Sequence, residues 1–178
     1  MSARPFFAGR NLCAAVCGLH ARIIERVAAD PLPETRRARV KSVLGGEINQ
    51  RFDRGDGGPG GWWIVDAPEI HLGDAVFRPS IAGWRRERMP VYPDAPYFEI
   101  LPDWICEIFA DCHVGGGRAI WPKYAEYGIP HGWILDLATQ AVENYRLSGK
   151  YWTYWSAHED VVRAEPFEEC EFDLRVLF

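Results

Sequence analysis

Glu107 is the residue whose placement asks most for a chemical explanation. It is the one acid in the apolar run Trp104 to Phe109, and a carboxylate there is costly unless something pairs with it. A second acid, Glu47, follows Gly45-Gly46 near the end of a helical stretch. Cys112-His113 is half a metal site by residue type, but no second Cys/His pair stands at a suitable spacing. Basic residues cluster at Arg36, Arg37, Arg39 and Lys41, and again at Arg85, Arg86 and Arg88. The first group could meet phosphates and the second could form a partner-binding edge, although a solvated helix face or loop is the commoner origin of a charge run. The glycine-rich stretch Arg51 to Trp63 lacks the Gly-Lys-Ser/Thr of a phosphate-binding loop and reads as a turn or surface flap. The run Tyr151 to Trp155 has the aromatics to stack bases. Burial of one aromatic face in a sheet explains it better.

The elements that must position these groups follow from periodicity. Leu12, Val16, Leu19, Ile23 and Val27 describe a helical face ended by Pro31-Leu32-Pro33, and Glu34 to Gln50 reads as a second helix. Trp62 to Asp66, continuing through Glu69 to Leu72, pairs with Ala75 to Trp84 in a hairpin. Trp104 to Phe109 is a strand, Ile120, Trp121, Tyr124 and Tyr127 mark an amphipathic helix, and Trp133 to Leu137 is a buried strand closed by Asp136. This strand-helix-strand unit is one that α/β folds use repeatedly. Ala141 to Leu147 and Tyr151 to Ser156 form a last hairpin, and Phe172 to Leu174 docks a final turn.

The 178 residues make one domain, and 48% hydrophobic residues with eight tryptophans can fill a sizeable core. A formal charge of −5 argues against non-specific nucleic-acid binding driven by the field of the whole molecule. Five cysteines, an odd number without zinc-type pairing, predict reduced thiols in a cytoplasmic protein. The short run Leu12 to Leu19 is cut by Gly18 and His20, which excludes an export signal in this reading. No apolar stretch approaches the roughly 20 residues that a membrane helix needs.

Certain phrases go further. Leu44-Gly45-Gly46-Glu47, Gly58 to Ile64, Ile81 to Arg88, Pro102-Asp103-Trp104, Tyr124-Ala125 and Gly128 to His131 with Trp133 and Asp136 together span most of the chain. From about Pro31 to Phe178 the sequence resembles the Uma-type restriction-endonuclease family of the PD-(D/E)xK nuclease superfamily, whereas residues 1–30 match it poorly. The resemblance implies an α/β (mixed α+β) fold, with a restriction-endonuclease-like core in which a central mixed sheet is flanked by helices. It covers a domain at residues 31–178, and the periodicity of Leu12 to Ala29 makes residues 1–30 an N-terminal helical segment ahead of it.

The chemistry the resemblance implies is metal-assisted hydrolysis of DNA phosphodiesters, with Mg²⁺ or Mn²⁺ held by two carboxylates and a lysine that activates water. Glu107 matches the second acid, and Glu47 matches the helix glutamate that supports the metal. Ser80 stands at the family's aspartate position and Ile120 at its lysine position. A neutral hydroxyl does not replace an anionic oxygen on a hard cation. Asp103 lies four residues from Glu107, about 13 Å along a strand, and cannot share its ion. Lys123, one helical turn after Ile120, can approach the missing lysine's place. Two readings follow: a pseudo-nuclease that keeps the fold to bind DNA or a protein partner, and an active endonuclease using Glu107, Glu47 and Lys123. The first fits the two substitutions better. A homodimer is compatible with either.

Overall fold

Alternation along the buried strand Trp104–Phe109 (β5) divides the molecule into two cores. Trp104, Cys106 and Ile108 point to one face, and Ile105, Glu107 and Phe109 to the other. All six are buried, as expected for a central strand covered on both sides. The computed structural model describes residues 34–109 and 117–178. The helix read over Leu12 to Ala29, together with Cys13, Cys17, Cys112 and His113, lies outside the described residues.

The main sheet has six strands. Trp62–Asp66 (β1) pairs antiparallel with Ile81–Arg85 (β4), which pairs antiparallel with β5. His131–Asp136 (β6) runs parallel to β5, with Trp104 opposite His131 and Phe109 opposite Asp136. Ala141–Ser148 (β7) and Tyr151–His158 (β8) complete the order β1-β4-β5-β6-β7-β8. The sheet is therefore mixed, and the parallel β5/β6 pair is joined through a short 3₁₀ turn, Gly117–Ile120, and the helix Trp121–Glu126 (α2). This is the strand-helix-strand unit that the sequence predicts.

Helix Glu34–Ile48 (α1) covers one face with Val40, Leu44 and Ile48, helped by Phe167, Phe172, Leu174 and Leu177 from the C-terminal segment. α1 stops two residues earlier than its pattern suggests and passes into a wider π-helical turn, Asn49–Asp53, which buries Phe52. α2 covers the other face with Trp121 and Tyr124. No helix among the described residues is long and apolar enough to cross a membrane.

Two sequence expectations change. The single strand read over Ala75 to Trp84 is two strands, because Arg78-Pro79-Ser80 interrupts it. Ala75–Phe77 (β3) pairs with Ile70–Leu72 (β2) in a separate hairpin, and only β4 joins β1. Proline has no N–H for the ladder, and both breaks carry one, at Pro68 and Pro79. Ala67 takes a positive φ of 46° at the first break, turning the chain out of the sheet. The aromatic run in β8 also behaves differently. Only Trp152 packs inward, its ring 5.1 Å from that of Trp121, while Tyr151, Tyr154 and Trp155 are exposed. β8 is an edge strand with a bulge at Trp155, so it has less to bury against than an inner strand.

Candidate functional site

The β4/β5 register places Ile81 opposite Cys106, so Ser80, just before β4, comes to lie beside Glu107. Its backbone N–H donates to Glu107 Oε2 at 3.2 Å and its hydroxyl donates to the same oxygen at 3.0 Å. The Ser80 hydroxyl oxygen in turn accepts from the Ile108 N–H at 3.2 Å. From the opposite layer, Tyr124 of α2 donates its phenolic O–H to Glu107 Oε1 at 2.6 Å. Ser80, Glu107 and Tyr124 are all buried. Both carboxylate oxygens thus have protein donors, which offsets part of the cost that Glu107 carries in the bare sequence.

Burial pushes the Glu107 carboxyl above its ordinary range, and it outweighs the donors Tyr124 and Ser80 and the positive charge of Arg37, which pull it down. Burial, then the neighbouring carboxylate, pushes the Tyr124 phenol well up, so it remains a donor at neutral pH. A carboxyl whose folded pKa is raised binds its proton more tightly in the folded state than in the unfolded one. Its contribution to stability therefore declines as pH rises from the ordinary carboxyl range through the folded pKa. Glu107→Gln removes that proton, so its stability measured by urea titration should depend less on pH in this window. An unchanged pH slope would refute the assignment to Glu107.

The other sequence-predicted residues are not gathered here. Glu47 pairs with Arg51 at 2.9 Å and lines, with Leu44, Phe172, Leu174 and Leu177, a cavity of about 220 Å³ beside the C-terminus. Ile120 is partly buried against the α2-side core at the start of the helix, and Lys123 lies half-buried beside Tyr124. Asp103 accepts from the Arg85 N–H at 2.8 Å and pairs with Arg88. That arginine cluster is not a solvated loop. Arg86 pairs with Asp53, donates to the Trp62 carbonyl at 3.0 Å and lies 3.9 Å over the Trp63 ring.

A hard divalent cation takes oxygen ligands, commonly one or two protein carboxylates completed by water and substrate oxygens. Around Glu107 the structure offers one carboxylate, already holding three donors, and a neutral hydroxyl. Among the described residues no group of three His, Cys, Asp or Glu side chains could hold a metal ion. Among the described residues this donor set is a poor fit for Mg²⁺ or Mn²⁺. Tyr124 is the site residue whose role sequence reasoning missed: it stands there on the apolar face of α2 and in the phrase Tyr124-Ala125, without a link to Glu107.

No protein-family model matches the chain, and a search of curated proteins finds no match. Among solved structures, it is similar to a protein from Anabaena variabilis described as a "putative nuclease belonging to DUF820". The TM-score is 0.65 at 21% identity, over 88% of this chain and 87% of that one. The likeness is one of fold, the mixed sheet flanked by helices.

Proposed function

We propose that this chain is a nuclease-fold protein that has lost metal-dependent phosphodiester hydrolysis and acts by binding a protein partner. One observation carries this reading: the carboxylate at the centre of the fold is occupied by Ser80 and Tyr124 instead of facing an open ligand position. The preference for a protein over DNA rests on charge. The chain carries −5, and the arginines after β4 are engaged with Asp53, Asp103 and tryptophan rings, leaving them poorly placed for phosphates.

The test compares the natural protein with Ser80→Asp/Ile120→Lys on supercoiled plasmid with Mn²⁺, alongside calorimetric titration of Mn²⁺. The natural protein should neither nick DNA nor release binding heat. Nicking that disappears in Glu107→Ala would restore the active-endonuclease reading. Duplex binding that weakens steeply with salt would keep the loss of catalysis and make DNA the partner.

A further inference from the structure

Two adjacent glycines in the last turns of α1, Gly45 and Gly46, have different explanations. A Cβ on Gly45 would stand 2.9 Å from Asp66 Oδ1, the end of an exposed side chain that would have to swing aside to admit it. A Cβ on Gly46 would meet nothing within 4 Å. Glycine inside a helix costs stability relative to alanine, and among the described residues no contact requires it at this position. Gly46 helps keep open a groove of about 750 Å³ between α1, the π-helical turn and the outer edge of β1, with Tyr92 also on its wall.

The groove runs along a sheet edge that still has hydrogen bonds to make. Ile64 N–H points away from β4, since it donates to Asp53 Oδ2 at 3.1 Å, and Trp62 C=O does so too, accepting from Arg86. By alternation, Ile64 C=O and Asp66 N–H also point outward, and neither has a partner among the described residues. A single residue of an added strand can donate to the first and accept from the second. β1 contains no proline and its pairing no bulge, the devices that blunt exposed edges, whereas β8 at the other edge is bulged. Among the described residues the side chains of Asn49 and Gln50 on the groove wall make no hydrogen bond, and the carboxylates of Asp56 and Asp66 are unpaired, with Arg54 also on the wall.

We propose that this groove takes one extended peptide segment of a protein partner, added to β1 as a further strand, with a Lys or Arg side chain directed at Asp66. Main-chain bonds to Ile64 and Asp66 hold the segment, and the carboxylate selects its charge. The proposal deepens the binding function above, resting on it for the class of partner and not on the loss of catalysis.

The test pans a displayed library of random 12-residue peptides against the full chain, then measures a synthesised, enriched peptide by fluorescence anisotropy. Enriched sequences should carry a basic residue. Gly46→Leu, which fills the groove while improving helix propensity, should weaken binding at least tenfold without lowering the melting temperature. Asp66→Asn should weaken binding several-fold, and less so once the peptide's basic residue is replaced by alanine. Failure to enrich any peptide, equal binding to Gly46→Leu, or amide protection on Tyr151–His158 would each overturn the proposal. So would displacement of the peptide by a short DNA duplex. Plasmid nicking by the natural protein would overturn the loss of catalysis and leave the groove untouched.

Discussion

Ser80→Asp should lower the stability of the protein by about 3 kcal/mol, which for a chain of this size is a fall in melting temperature of roughly 6–12 °C. The substitution removes the hydroxyl that donates to Glu107 Oε2 and sets a second carboxylate against the first in a buried position. Like charges at this range cannot both ionise at low cost, so one acid takes up a proton and its pKa rises. The destabilisation should therefore be larger at pH 8 than at pH 5. Mn²⁺ should raise the melting temperature of Ser80→Asp and leave the natural protein unchanged. A variant that melts with the natural protein at both pH values would mean that Glu107 is not enclosed as described.

Phe167→Ala should cost about 3–5 kcal/mol, a large part of the whole stability of an ordinary domain. Phe167 lies outside the main sheet, yet its ring centroid is 4.5 Å from Phe52, 5.0 Å from Trp62, 4.8 Å from Trp104 and 5.6 Å from Trp133. It joins the turn after α1 to three separate strands. Removing it opens a cavity between rigid rings that cannot collapse inward, which places the expected cost in the upper part of the range for core truncations. Urea unfolding followed by tryptophan fluorescence would measure it, and a loss below about 1 kcal/mol would show that the C-terminal segment does not hold this core.

The contrast between Glu107 and Phe167 shows what a sequence discloses. β5, α2, β6 and the β7/β8 hairpin were legible because each has a run long enough for its period to be plain. Glu107 was legible as a site because a charge in such a run needs a reason. Its partners were not. Tyr124 is 17 residues further on and reaches Glu107 only through the packing of α2 on the sheet. Ser80 was found by resemblance, while the split between β3 and β4 that leaves it just ahead of β4 was missed, since apolar residues on both sides of Pro79 imitate one strand. Glu47 shows what a matching phrase leaves open: its neighbours in sequence match the resemblance, and in the fold its carboxylate pairs with Arg51. The exposed aromatics of β8 were unreadable for another reason: alternation says that a strand has two faces, not whether a layer covers them.

The division of β5 between two cores has a consequence for how the chain finds its alignment. Moved by one residue, every side chain of a strand changes face. Glu107 would then enter the layer filled by Trp133 and Phe167, away from Ser80 and Tyr124, and Trp104 would leave it. An unsatisfied buried carboxyl costs several kcal/mol, more than a slipped apolar strand would otherwise lose at one position. Glu107 thus acts as an index mark on β5: a sheet threaded out of step is penalised at once, and the correct threading is the one in which Ser80 and Tyr124 are there to receive it.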